Sequence, residues 1–326
     1  MKVIRLIESY FWVILIAGIF LGLTWPLLNE LLMSLLKPIL MVMLLLVFLK
    51  TDLILILKQI SDYRRMALIT VIFIVAIPLV LYGAVYPFSR ELATGILLLT
   101  AMPSGVSTPS LTDIVKGNIA LSSGIAIITS MLAPFTVPLL FILVNHDTIG
   151  INSLEMFTDL AVLVFVPLAV SQVLKRLFPA AVAKVKGGFT AVNILLIFIM
   201  VYAAMGSQRG LITGDPLNIL LQVGFLYMVY ILLHVAGYIT GYGMERESRI
   251  AVTIGAAYKN NGMAIVLAAI HFEPAILVLM VLSEFPWNTL LAPFRRVMRH
   301  LHGTTVKSNQ GTGQITVTDP GPKYKT

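Results

Sequence analysis

The chain has no cysteine among its 326 residues. Disulfides, thiol nucleophiles and Cys-ligated metals are therefore excluded. Charge is scarce as well. Only 12% of the residues are Asp, Glu, Lys or Arg, against about 25% in an ordinary soluble domain. A soluble protein of this length would need many more charges to cover its surface. A cytosolic enzyme, a nucleic-acid-binding module and a disordered chain are excluded on that ground. The five histidines (His146, His234, His271, His300 and His302) are scattered, with no HExxH spacing, so no metal site is expected. What the chain does contain is apolar: 58% hydrophobic residues and a mean hydropathy of +0.95. That composition predicts an all-α polytopic membrane protein whose outer surface meets lipid.

Ten hydrophobic spans are expected, at roughly 9–26, 30–49, 66–87, 92–116, 120–144, 156–174, 187–206, 216–242, 249–272 and 274–297. The opening stretch carries Lys2 and Arg5 before an apolar run, but Trp25-Pro26 is no small-x-small cleavage site. A retained first helix is expected rather than a signal peptide. The second span must begin before Lys37, because Lys37 and Lys50 bracket too short a run. The basic residues test the count. Of 23 Lys and Arg, only Lys37, Arg90 and Arg209 fall on one side of the alternating loops, and Lys259 lies inside a span. All others fall on the opposite side. The positive-inside rule then places both termini in the cytoplasm, in what is read as a prokaryotic plasma membrane. A transmembrane domain is expected over residues 1–302. Residues 303–326, rich in Gly, Thr and Pro, read as a disordered cytoplasmic tail.

The spans divide five and five, into residues 1–147 and 153–300. An odd number of spans per half makes the halves antiparallel, the inverted-repeat plan of secondary transporters. Span 4 is interrupted at Ser107-Thr108-Pro109-Ser110 and span 9 at Lys259-Asn260-Asn261-Gly262. Proline lacks an N–H and clashes with a continuing helix, and Gly with an Asn pair weakens one. Broken helices at matching places in two halves point to a binding site, because freed backbone groups at that depth must face protein or a wet cavity. The plainer alternative is a pair of kinks that only shape packing.

Lys259 lies about 15 Å from either interface at 1.5 Å per residue, too far for its side chain to snorkel out. It therefore needs an internal partner or a cavity. Glu284, near the middle of span 10, is the expected partner, with coupled protonation between the two. The alternative is a structural ion pair locking two helices. Thr108, Ser110, Thr112 and Ser122 supply hydroxyls near the first break, although each could bond only to a carbonyl one turn back. His234 in span 8 is read as a helix–helix hydrogen bond in preference to a relay. Asp113 is placed at the cytoplasmic end of span 4. No nucleophile–base pair or phosphate loop is present among the intramembrane residues, so an enzyme is not expected.

The stretch Pro103-Ser104-Gly105 … Thr112 … Lys116-Gly117-Asn118 … Ala120-Leu121-Ser122 … Leu132-Ala133-Pro134 … Pro138 resembles the bile acid:sodium symporter family. Gly255 … Lys259-Asn260 … Gly262 is similar to that family's segment in helix 9. The resemblance runs along most of residues 1–297. It implies ten helices in two inverted repeats, with spans 1, 2, 6 and 7 as a panel and spans 3–5 and 8–10 as a core. Helices 4 and 9 would unwind and cross. It also implies organic-anion substrates, alternating access and sodium bound behind the crossover.

The departures fall on the implied sodium ligands. The family's Ser-Asn pair in helix 4 reads Thr108-Pro109. In helix 5 the first hydroxyl survives as Ser122 and the second is Ala126. The Glu of helix 9 reads Gly255 and its Gln reads Lys259, and only Asn260 is retained. A cation beside an ammonium is strongly repelled at low dielectric. The expectation is a transporter of a small organic anion that does not use sodium, working by proton coupling or uniport, with Lys259 standing in for the ion. Lysine can exchange its proton when desolvated, which suits such a switch. The site residues expected are Thr108, Pro109, Ser110, Thr112, Ser122, Lys259, Asn260, Asn261 and Glu284. Resident cofactors, metals and nucleic-acid partners are not expected. A sodium symporter with relocated ligands, or a membrane sensor that kept the fold, are the other readings.

Overall fold

Hydrogen-bonded backbone is the only kind tolerated against lipid, and helices supply it. The computed structural model describes residues 10–51, 62–144 and 152–301. The expected polar tail after residue 302 lies outside them. Among the described residues, every regular element is a helix apart from one isolated β-bridge. In chain order the helices are α1 (Phe11–Thr24), α2 (Asn29–Ser34), α3 (Leu36–Lys50), α4 (Tyr63–Val85), α5 (Arg90–Ala101) and α6 (Thr108–Ile114). There follow α7 (Ile119–Val144), α8 (Ser153–Leu177), α9 (Pro179–Val185), α10 (Phe189–Ser207), α11 (Arg209–Gly214) and α12 (Pro216–Thr240). Then come α13 (Arg246–Ala257), α14 (Asn261–His271), α15 (Pro274–Leu282), α16 (Glu284–Thr289) and α17 (Leu291–Leu301).

Six helical runs among the described residues are long and apolar enough to cross a membrane: α4, α7, α8, Pro179–Ser207, α12 and Pro274–His300. Large apolar side chains face outward in mid-helix, as Leu220, Leu221, Ile231, Val235 and Ile239 do on α12. In a membrane such a face meets lipid rather than water. The helix ends have local causes. Ser89 caps α5 through the Leu92 N–H at 3.2 Å, and Asp215 caps α12 through the Asn218 N–H at 3.0 Å. Asn152 caps α8, whose first turn carries Glu155 and whose last turn carries Lys175 and Arg176, charges matched to the helix dipole. The second span does start before Lys37, as a short helix, α2, followed directly by α3.

The chain divides into two compact units, Met1–Asn288 and Thr289–Thr326. The described part of the second is essentially α17, with Arg299 and His300 in its last turn. Within the first unit, α1 packs on α10, α3 on α8 and α10 on α3. Gly22 makes the first of these contacts close: a Cβ there would sit 2.5 Å from the Tyr202 carbonyl oxygen. A second set of contacts joins α4 to α5, α12 to α13 and α7 to α13. Asp159 of α8 accepts from Lys37 Nζ of α3 at 2.5 Å and is 2.9 Å from His271 Nε2 at the end of α14.

Helices α5 and α6 are separated by Met102–Ser107, and α13 and α14 by Tyr258–Asn260. These two non-helical segments cross and pair antiparallel, with Ser104 opposite Lys259. The Gly105 N–H donates to the Tyr258 carbonyl at 2.7 Å, and the Asn260 N–H donates to the Pro103 carbonyl at 2.9 Å. The first break therefore lies several residues earlier than the sequence suggested, whereas the second overlaps the expected stretch at Lys259-Asn260 and starts one residue before it. Thr108-Pro109 does not interrupt a helix. It begins α6, where a missing N–H has no acceptor to lose. Asn261-Gly262 likewise opens α14, capped by the Asn260 side chain. Close backbone approach is what requires glycine at 105. Added there, a Cβ would lie 3.0 Å from Tyr258 O and 3.1 Å from Lys259 O, both of them backbone atoms. Gly105→Ala is expected to cost about 1–3 kcal/mol by overpacking, read as a lower melting temperature in detergent. Gly83→Ala has nothing within 4 Å of the new Cβ and should stay within about 1 kcal/mol of wild type. Equal melting of the two variants would refute the close crossing.

Candidate functional site

Around the crossover, side chains complete what the backbone pairing leaves open. Ser104 Oγ donates to the Gly255 carbonyl at 2.6 Å, and its N–H donates to Thr129 Oγ1 at 3.1 Å. Thr108 Oγ1 donates to the Gly105 carbonyl at 2.7 Å. Thr112 Oγ1 donates to Ser122 Oγ at 3.0 Å, tying α6 to α7. Asn261 Oδ1 accepts from Tyr230 Oη at 3.0 Å, and its Nδ2 donates to Ser283 Oγ at 3.0 Å. Asn260 Oδ1 accepts the Met263 N–H at 3.1 Å, while its Nδ2 is buried with no hydrogen-bond partner.

Lys259 is 1% exposed. Its Nζ donates to the Phe73 carbonyl at 3.0 Å and lies 5.6 Å from the Phe73 ring centroid. The local chain explains why that carbonyl is free to accept. Residues Ile72–Ala76 form a π-helical turn inside α4, and the Ile77 N–H is committed to the Ile72 carbonyl. The next residue, Pro78, has no N–H to offer. Phe73 O is thus passed over by both residues that would ordinarily serve it, and the lysine takes the place of the missing donor. The expected ion pair with Glu284 does not form: no salt bridge joins them among the described residues. The Glu284 carboxylate instead accepts from Asn288 Nδ2 at 2.9 Å, and the same amide reaches the Glu284 carbonyl at 2.8 Å. The reason is reach and competition. The ammonium is already spent on a carbonyl one helix away, and the carboxylate has a donor one turn along its own helix.

Both residues nonetheless line one cavity of about 60 Å³, bounded by the crossover on one side and by Met43 of α3 with Ile197 and Met200 of α10 on the other. Asn260, Asn261 and Trp287 share it. Trp287 Nε1 donates to the Lys259 carbonyl at 3.0 Å. Pro109 lines a second, smaller cavity, of about 20 Å³, with Phe48 and Ser130.

Of the nine expected site residues, the crossover region gathers Thr108, Thr112, Ser122, Lys259, Asn260, Asn261 and Glu284, all buried. Pro109 is half-buried and Ser110 is exposed. His234 Nδ1 contacts the Tyr230 carbonyl at 2.7 Å, a bond within its own helix, and its ring meets Tyr258 edge-on. Asp113 is exposed, 3.9 Å from Lys116. Sequence reasoning missed Phe73, Pro78, Ser104, Trp287 and Asn288. Pro78 inside an apolar span was the available signal for the first two, and the four-residue spacing of Glu284 and Asn288 for the last.

Sodium coupling is testable against these atoms. Gly255 supplies no carboxylate, and a Cβ there would meet Ile125 at 3.1 Å and the Phe73 ring at 3.3 Å, so a side chain would have to displace its neighbours. The lysine ammonium occupies the Phe73 carbonyl on the same side. The donor set behind the crossover therefore does not match the one the resemblance implies.

Two broken helices crossing inside an apolar helical protein define a class, the membrane transporters. Residues 9–285 match the SBF-like CPA transporter family, and the chain belongs to that family. It is 29% identical over 206 residues to a protein from Bacillus subtilis (strain 168) described as the uncharacterized sodium-dependent transporter YocS. It is 22% identical over 186 residues to the probable sodium/metabolite cotransporter BASS1, chloroplastic, of Oryza sativa subsp. japonica. The matches cover 60% and 55% of this chain, but 62% and 44% of those relatives. The chain thus spans less than two thirds of the relatives it matches. The resemblance drawn from residues 103–138 is upheld, and the family and these relatives are described as transporters.

If Pro78 is what leaves the Phe73 carbonyl for Lys259, the two positions form a cycle. Lys259→Met strands a buried carbonyl, at a cost of about 1–3 kcal/mol. Adding Pro78→Ala supplies an N–H in the same helix and should recover part of that loss. Melting curves of both purified variants decide it: a double variant no more stable than Lys259→Met alone would sink the assignment.

Proposed function

We propose that the protein is a secondary transporter of small organic anions that works by alternating access without sodium. The observation carrying this reading is the ammonium of Lys259, held at the Phe73 carbonyl behind the crossover. When protonated, that amine repels a sodium ion at low dielectric and offsets negative charge on the cavity side. The N-terminus of α14 and the unpartnered Asn260 Nδ2 favour an anion in the same place. The ten-span, inverted-repeat plan supplies the moving parts, with α1, α3, α8 and α10 as the panel and the crossover helices within the core. A cavity of about 60 Å³ is far below the ~300 Å³ of a small-molecule site. Substrate entry therefore requires panel and core to separate. Both termini face the cytoplasm of a prokaryotic plasma membrane, and the basic loops support that orientation.

The relatives, described as a sodium-dependent transporter and a probable sodium/metabolite cotransporter, favour a second reading, a sodium-coupled symporter with relocated ligands. Uptake separates the two. Purified protein in liposomes is given labelled mono- and dicarboxylates in sodium chloride or in choline chloride. Equal initial rates in the two salts are expected. A rate that collapses without sodium would establish the second reading instead.

A further inference from the structure

Glu284 is an unusual residue to find at this depth. It is 6% exposed and lines the central cavity. No Lys, Arg or His lies within ion-pair distance of it among the described residues. A buried carboxylate without a cation is costly in its ionised form. Two amides, Asn288 and Asn261, interact with it; Asn288, 2% exposed, donates through Nδ2 to Glu284 Oε2 at 2.9 Å. The other end of that amide, Oδ1, is buried with no partner. An amide with one end on the acid and an orphaned acceptor at the other can answer both forms of the acid. Its N–H donates to the carboxylate. Turned over, its oxygen accepts from the carboxylic O–H.

The groups facing Glu284 are few. Lys259 lines the same cavity, but its Nζ is tied to Phe73. Tyr230 approaches through Asn261, which bonds Ser283, the residue before Glu284. The cavity lining contains no further acidic, basic or histidine side chain. At the crossover its wall adds the neutral polar Ser107, Asn260 and Asn261, and opposite them it is apolar, with Met43, Ile197, Met200, Val201 and Ile265. An anion entering this space meets one ionisable carboxylate and no mobile cation.

We infer that Glu284, with Asn288 as its two-state partner, is the proton-carrying site of the transporter, and that a proton crosses with each small monocarboxylate of apolar body. This rests on the anion-transport reading. The balance is simple: one proton binds the Glu284 carboxylate as one carboxylate ligand enters. The pair adds no net charge to the cavity, and both leave on the other side. Repulsion between the ligand and an ionised Glu284 makes the coupling strict, since either partner alone leaves an unbalanced charge in a low-dielectric space.

The test uses the full chain in liposomes that hold a pH-sensitive dye, with labelled 2-oxoisovalerate as probe and protein-free liposomes as background. Wild type should acidify the lumen in step with uptake of the label. Glu284→Gln fixes the protonated shape. It should still exchange label for label across the membrane but lose proton movement entirely. Glu284→Asp, which keeps a carboxyl, should restore it. A measurement on wild type alone guards against a variant that does not fold. Adding 2-oxoisovalerate to detergent-purified protein in weak buffer should draw a proton from solution for each anion bound. Uptake without acidification, or proton movement that survives in Glu284→Gln, overturns the proton site while leaving anion transport intact. Absence of exchange for every carboxylate in the uptake panel overturns the anion reading and this inference with it.

Discussion

Two helices that come apart inside a membrane must find partners for the backbone groups they release, because hydrocarbon offers none. Here they find each other. The hydrogen bonds between Gly105 and Tyr258, and between Asn260 and Pro103, let Met102–Ser107 and Tyr258–Asn260 leave the helical path together. Neither break is sustainable alone. The polar side chains of the site are placed by that pairing: Ser104 and Lys259 face across it, Asn260 caps the helix that resumes after it, and Thr108 closes the turn before α6. Glycine at 105 is the condition for the approach, and the proline at 109 fits because a new helix starts there.

The lysine extends the same rule to a third helix. A π-turn and Pro78 leave the Phe73 carbonyl without its ordinary donor, and the ammonium supplies one. A charged group at this depth is thereby given a partner that is dipolar rather than ionic. That leaves the carboxylate of Glu284 to a different neighbour, on the cavity side. The two ionisable side chains are thus held apart, one tied to a carbonyl of a third helix and one bonded to the amide of Asn288.

Much of this could be read before any coordinates. The apolar helical character, the two interrupted helices and the burial of Lys259 follow from hydropathy, Pro/Gly placement and rise per residue. The family could be read from residues 103–138. The position of the first break could not. Proline and glycine mark where a helix is weakest, yet Pro109 and Gly262 are equally at home in the first turn of a helix. Only the cross-strand hydrogen bonds show which role each takes. The Lys259–Glu284 pair was a misreading of the same kind. Sequence proximity of two spans says nothing about where a long side chain points. The real partner, a main-chain carbonyl made available by a proline in another helix, leaves no charge pattern to find. Asn288 was legible at four residues from Glu284, but only once the buried carboxylate was known to lack a cation.

The aspartate at position 159 deserves a mechanical reading. It holds Lys37 of α3 on one oxygen and His271 of α14 on the other, so a single side chain on α8 clasps three helices at one end. A joint with two independent hooks on one post need not snap. If α14 draws away, the histidine can let go while the lysine keeps α3 and α8 together, and the separation proceeds by stages. Loss of the Asp159 carboxylate would accordingly free α3 and α14 together, whereas loss of the His271 ring would free α14 alone.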